Sequence, residues 1–287
     1  AYKSIFPDVK FVTGDVRSVQ EFPEADVLIG CYPCTGFSIA ARRRWKDRQE
    51  RDLLKTPGNF LYREYIRALG QVKPKYFFVE NVSGMISAKD GWFFDQQLQG
   101  FRKLGYEPFV QALRAQDFGA AQDRKRIFIV GIRNDIVSEF SYEFPTAQYG
   151  PTTDRPYNTM QDVIGDMDPW PEGEFSTQPF HGHYLTRNRK RRWDQTSYTI
   201  VASASHVPLH PSGEPMVYVG KDQWRLQGDC NRRLSWRECL RLQCLPQQMK
   251  LDGTLEDKYK VIGNAVPPVF AKAIIEPIVK FEATKLV

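Results

Sequence analysis

The run YFFVEN, residues 76–81, decides the fold. Its apolar residues fall on both faces, as in a central strand of a sheet covered on two sides by helices. Upstream, Lys73-Pro74-Lys75 separates it from a segment in which Leu61, Tyr65 and Leu69 recur every four residues, one face of an amphipathic helix. That helix is expected to follow the turn Thr56-Pro57-Gly58-Asn59, with Asn59 as its N-cap. Further upstream, KFVTGD (10–15) and DVLIG (26–30) are short apolar runs that end in turn residues. Downstream, 91–104 reads as a helix ending at Gly105, and RIFIVGI (126–132) is again a strand. Strand–helix–strand alternation predicts the α/β class: a doubly wound, mostly parallel sheet with right-handed crossovers.

From about residue 140 to 228 the character changes. Prolines, glycines and serines are scattered, aromatics are frequent, and no helical period persists, which predicts an irregular, smaller β/loop domain. From 229 regular structure returns. Ser235-Trp236-Arg237-Glu238 reads as a capping box, Leu245-Pro246 ends that helix, and a last helix after Pro267-Pro268 carries Val269, Phe270, Ala273, Ile274 and Ile278. The expected division is therefore 1–139, 140–228 and 229–287, the last returning to complete the first.

The chain of 287 residues can bury a sizeable core, and 41% hydrophobic with 26% charged residues is ordinary for a globular protein. No apolar run approaches the roughly 18 residues that span a bilayer, and no secretory leader is visible. No membrane partner is expected. Five cysteines do not form a disulfide framework, so an intracellular, reduced setting is expected, cytoplasmic or at the nucleoid in a prokaryote. The net charge of +6 favours a polyanionic partner. Its excess gathers at Arg42, Arg43, Arg44 and Lys46, and at Arg187, Arg189, Lys190, Arg191 and Arg192 beside Trp193. Either cluster can be a solvated charge run. Their positions, one beside paired cysteines and one in an aromatic-bearing irregular region, favour phosphate binding.

The paired cysteines lie in GCYPCTGFS, residues 30–38. The spacing of Cys31 and Cys34 suits a redox dithiol, but Gly36 would weaken a helix there. A zinc site needs two further ligands; His206 and His210 are four apart with Pro208 between them, and a helix ends between Cys239 and Cys244. A nucleophile needs an electrophile-activating acid and a charge stabiliser. Glu80 stands at the carboxyl end of a strand, where open α/β sheets bind ligands. Gln122, Arg124 and Arg126 alternate along the approach to RIFIV and could share a face. A surface acid and solvated edge arginines are the simpler alternatives.

Taken together, five segments resemble the DNA cytosine-5 methyltransferase family in the family's order. They are GCYPCTGFS with its Pro-Cys nucleophile, FFVENVSGM, FGAAQDRKRIFIVGIR, RRLSWRECLRLQCLP and IGNAVPPVFAKAI. Thr35 stands where many members have Gln. The resemblance implies a Rossmann-like, S-adenosylmethionine-dependent fold and names Cys34 as the nucleophile, with S-adenosylhomocysteine as product. The Cys34 thiolate would attack C6 of a cytosine flipped out of double-stranded DNA. Glu80 would hold the ring N3 and exocyclic amine, Arg126 would bind O2, and Arg124 would brace the pocket. Ser38 and Arg42 to Arg44 would lie on a loop that closes over DNA and excludes water.

The resemblance further makes 140–228 the target-recognition domain. It places Gln122, the 187–192 basic residues and Thr199 on DNA. It leaves Cys31 as a small buried residue at a strand end, and His206 and His210 as loop residues near DNA. Asp15, Val16, Pro33, Leu61, Asn264, Ala265 and Val266 match the cofactor pocket. The family's opening strand and Gly-rich turn are not found, and AYKSIFP resembles the helix that follows its second strand. A second polypeptide, or a segment outside these residues, is therefore expected to supply that motif. Two alternatives from other classes are a catalytically inactive DNA-binding homologue and the family's RNA-methylating branch. The longer recognition region and the lack of a Cys-Phe-Thr signature speak against the second.

Overall fold

The computed structural model describes residues 2–33, 37 and 53–285. In chain order its elements begin with α1 (Tyr2–Ile5), β1 (Val27–Gly30), α2 (Tyr62–Val72), β2 (Tyr76–Asn81), α3 (Trp92–Lys103) and β3 (Tyr106–Arg114). Then come β4 (Gln122–Asp123), β5 (Lys125–Arg133), α4 (Asn134–Val137), α5 (Met160–Ile164), β6 (Ser197–Tyr198), β7 (Val217–Gly220) and β8 (Gln223–Arg225). The chain finishes with α6 (Trp236–Leu242), α7 (Leu255–Asn264) and α8 (Pro268–Thr284). Two compact units form: Val12–Leu113 with Lys125–Phe144 and Pro277–Val287, and Ala1–Phe11 with Arg114–Arg124 and Pro145–Glu276.

The first unit is built on a sheet of order β1-β2-β5-β3. β1 runs parallel to β2, from Val27 opposite Tyr76 to Gly30 opposite Val79. β5 runs antiparallel to β2, from Tyr76 opposite Ile132 to Asn81 opposite Ile127. The α/β class stands, but RIFIVGI does not add a parallel strand. A parallel return needs a crossover of a dozen or more residues. The link from β3 to β5 holds only a 3-10 turn and β4.

β2 earns its central place by burial on both faces, with Phe77 and Val79 inaccessible. Phe77 lies 4.6 Å from Phe101 of α3 and 5.4 Å from Tyr106 of β3, ring centre to ring centre. Gly131 makes this possible, because a Cβ there would meet Phe77 Cε1 at 1.9 Å. α2 lays Tyr65 and Leu69 into the same cluster, and the Tyr65 hydroxyl donates to Leu28 O at 3.1 Å. Asn59 is not its N-cap: it sits in the 3-10 turn Pro57–Phe60, where its Nδ2 donates to Leu53 O. Leu61 precedes the helix without a capping side chain. β1 is less covered, with Val27 and Ile29 40% and 62% exposed.

The second unit has little sheet. β4 pairs parallel with β6, and β7 pairs antiparallel with β8. Three of its helices start with capping boxes, at Thr159/Asp162, Ser235/Glu238 and Thr254/Asp257. Within Leu255–Thr284 an 18-residue window is apolar enough to cross a bilayer. The stretch is nevertheless two helices, and Tyr259, Ile262, Phe270, Ile274 and Ile278 are buried in protein.

Irregular backbone leaves carbonyls without ladder partners, and buried cations supply the donors. Arg233 donates to Ser205 O (2.9 Å), Gln178 O (2.6 Å), Ser176 O (3.2 Å) and Pro179 O (3.3 Å). Arg232 donates to Pro169 O at 2.6 Å and pairs through both terminal nitrogens with Glu238, at 2.9 and 2.7 Å. His210 Nε2 lies 3.4 Å from the same carboxylate. Burial, then the charges of Arg232 and Lys190, lower the His210 pKa to about 3. The imidazole is therefore neutral at pH 7, and the approach to Glu238 is not an ion pair. His210 lies in a loop, as expected from sequence, but its side chain is buried.

Candidate active site

Glu80 is the penultimate residue of β2 and stands opposite Phe128 of β5. Two residues before Phe128, Arg126 shares its face, a diagonal neighbour across the strands. The pairing follows from this register: Arg126 Nε lies 2.8 Å from Glu80 Oε1, with the two side chains only 15% and 13% exposed. The N–H does not point along a hydrogen bond, so the buried Oε1 has an opposite charge beside it but no hydrogen-bond donor. A buried acceptor left in that state suits an incoming donor. Arg126 Nη1 donates to Lys125 O at 2.8 Å. Next to Glu80, Asn81 turns its Oδ1 to the Val82 N–H, and its buried Nδ2 has no acceptor. Sequence reasoning did not single out Asn81. Its place beside a strand-end acid was the available signal.

Gln122, Arg124 and Arg126 are each held by different partners. The chain passes from one unit to the other between Arg124 and Lys125. Gln122 is fully buried, donates to Gln243 Oε1 at 2.7 Å and accepts from the Ile200 N–H at 2.8 Å. It holds Ile200 in place and does not face outward to DNA. Arg124, also buried, donates to Gly263 O at 3.1 Å and Ile200 O at 3.3 Å, a bracing role. Thr199 Oγ1 donates to Asp123 O at 2.7 Å.

Among the five cations at 187–192, Arg189 and Lys190 turn inward, each 6% exposed. Arg189 donates to Tyr184 O and His206 O; Lys190 Nζ reaches Ser212 O, Glu214 O and Asn231 Oδ1 at 2.7–3.0 Å. These two hold loops and are not placed to bind phosphate. Arg187 is exposed, Arg191 lies 4.1 Å over the Tyr198 ring, and exposed Arg192 pairs with Asp194.

Cys34, Ser38, Arg42, Arg43 and Arg44 lie outside the described residues. Just before them, Tyr32 hydrogen-bonds Gln97 Oε1, tying the strand-end turn to α3. Cys31 is exposed, against the expectation of burial.

Of the residues expected around a cofactor, Asp15, Val16, Pro33 and Leu61 belong to the sheet unit, and Asn264, Ala265 and Val266 to the other. Asp15 is exposed and accepts from the Arg17 N–H at 2.9 Å; the Arg17 guanidinium holds its carboxyl at about 2. Val16 beside it is 37% exposed. Both Asp15 carboxylate oxygens are engaged by the Arg17 side chain.

The family model for C-5 cytosine-specific DNA methylase matches residues 1–280. The chain is 38% identical to the Type II methyltransferase M.BspRI of Lysinibacillus sphaericus, covering 99% of this chain and 68% of that protein. It is 38% identical to M.BsuRI of Bacillus subtilis, covering 96% and 64%. It thus spans about two thirds of the length of both. Among solved structures, the Entamoeba histolytica methyltransferase EhMeth matches with a TM-score of 0.63 at 16% identity, over 100% of this chain and 86% of that one. The S. pombe Dnmt2 methyltransferase matches with a TM-score of 0.57 at 14% identity, over 90% and 78%. These likenesses carry the methyltransferase fold. The match along nearly the whole sequence carries more: the chain belongs to the C-5 cytosine-specific DNA methylase family, enzymes that methylate cytosine in DNA with S-adenosylmethionine as methyl donor.

Proposed function

We propose that the protein methylates C5 of a cytosine flipped out of a specific duplex DNA sequence, through a covalent adduct between Cys34 and C6. The observation that carries this reading is the half-buried Glu80–Arg126 pair, whose buried carboxylate Oε1 lacks a hydrogen-bond donor. Glu80 suits the exocyclic amine and N3 edge of cytosine, and Arg126 suits O2, where negative charge develops as sulfur adds to C6. The Cys34 S–C6 bond forms as electrons move toward C5 and the ring. When bound, S-adenosylmethionine supplies the methyl group that ends on C5. Loss of the C5 proton then returns electrons to the ring and breaks the S–C6 bond. Asp15, Val16, Pro33, Leu61, Asn264, Ala265 and Val266 would hold the cofactor.

Residues 140–228 would recognise the target, within a catalytic domain formed by 1–139 and 229–287. Arg187, Arg191 and Arg192 remain candidates for phosphate contact. A segment from outside these residues, in the same polypeptide or a second one, would complete the cofactor site. The exposed apolar Val27 and Ile29 on β1 support such a cover. Location inside the cell follows from DNA as substrate.

The test is trapping. Duplex DNA carrying 5-fluorocytosine, incubated with the complete protein and cofactor, should yield a covalent adduct that Cys34→Ser abolishes and Glu80→Gln slows at least about tenfold. Adducts on RNA and not on DNA would reverse the substrate. Adducts that persist in Cys34→Ser would remove the nucleophile.

A further inference from the structure

The β7–β8 hairpin has one anchored face and one bare face. Its register sets Tyr218 opposite Trp224, with rings 5.4 Å apart, and Trp224 packs on the buried cluster of Tyr184, Leu209 and Met216. Alternation along β8 then sends Gln223 and Arg225 to the other face, and both are exposed. Across the ladder they face only Gly220 and Val217, so no large side chain covers them. Lys221 and Asp222 form the exposed tip.

The hairpin presents two exposed cations, Lys221 at its tip and Arg225 on its outer face. Three arginines elsewhere in the unit have acid partners, Arg192 with Asp194, Arg237 with Glu174 and Arg241 with Asp166, while Arg155 and Arg191 lie over the rings of Tyr149 and Tyr198. Among the described residues, neither Lys221 nor Arg225 makes an ion pair. A two-stranded ribbon has the width the B-DNA major groove admits. There an arginine can pair with guanine O6 and N7, and a glutamine with adenine N6 and N7.

We propose that β7–β8 is the ribbon that reads base edges in the major groove, with Arg225 on a guanine, Gln223 on a second base and Lys221 on a phosphate. This rests on duplex DNA being the substrate. Trp224 fixes the ribbon to the unit's core, so its outer face is presented with little loss of side-chain freedom at the anchor.

The test is selection by binding, independent of methyl transfer. The complete protein is mixed with duplexes carrying a randomised stretch, and the retained duplexes are sequenced. The parent should enrich a motif. Arg225→Ala should lose the guanine preference at one position by about tenfold or more while keeping the others. Gln223→Ala should relax a different position. Lys221→Ala should keep the motif and lower the salt slope of binding by about one. All three side chains are exposed, so thermal unfolding should stay at the parent value. An Arg225→Ala pool with the parent's motif at every position overturns the proposal, whether or not binding weakens. So does a parent that enriches no motif. A motif without 5-fluorocytosine trapping would instead sink the covalent chemistry and leave the ribbon standing.

Discussion

The sheet unit and the unit around 145–276 satisfy their buried backbone by different means. In the first, β1, β2, β5 and β3 pair their own peptide groups, and aromatic side chains fill the space between sheet and helices. In the second, short ladders leave carbonyls over, and Arg189, Lys190, Arg232 and Arg233 reach inward to them. The chemistry follows the same divide. Glu80 and Arg126 sit on regular strands, where position is fixed by register. The ribbon proposed to read DNA is a short two-stranded ladder, fixed to its unit by the Trp224 side chain.

The comparison breaks most directly at Arg233. Arg233→Met keeps much of the volume but leaves four carbonyls without their donor. It should cost roughly 5 kcal/mol, at about 1–3 kcal/mol per orphaned group and allowing for water entry. Denaturant unfolding reads this, and a loss below about 1 kcal/mol would mean that the cation scaffold is dispensable. In the sheet unit the corresponding change is Phe77→Ala, expected to cost about 3–5 kcal/mol by leaving a cavity.

A pH series separates the units more finely. His210 titrates near its ordinary value when unfolded and at about 3 when folded. Between those values the unfolded chain binds a proton that the native chain does not, so stability falls as pH falls through this window. From about pH 7 to pH 5 the loss should be about 2 kcal/mol, and His210→Gln should flatten that slope. Next, Gly131→Ala should cost about 1–3 kcal/mol by overpacking against Phe77. Smallest is Arg241→Ala, which removes a surface pair with Asp166 and should cost under about 1 kcal/mol.

Much of this was legible in the sequence, for physical reasons. Burial on both faces of YFFVEN and the four-residue spacing of Tyr65 and Leu69 report packing directly, whereas Leu61 precedes the helix. Ser235 and Glu238 signalled their helix start through local hydrogen bonding alone. Glu80 and Arg126 could be nominated from strand-end placement, but their contact needed the antiparallel register, which depends on how β3 returns to β5. The run at 187–192 misled because charge in sequence is silent about direction. Arg189 and Lys190 bond carbonyls brought close only by folding, while Arg187 and Arg192 are exposed. Gln122 was taken for a neighbour of Arg126 because alternation was followed across the point where the chain changes unit. Cys31 was expected inside as a small residue at the end of the apolar DVLIG run, but it is exposed.

The Glu238 carboxylate serves two structures at once. It accepts from the Ser235 N–H at the start of α6, and it receives both terminal nitrogens of Arg232, whose Nε holds Pro169 O. Fraying the first turn of α6 therefore releases Arg232, and releasing Arg232 frees the loop at Pro169. Native-state hydrogen exchange should accordingly find the first amides of α6 and those around Pro169 opening together, as one cooperative block with a shared opening free energy.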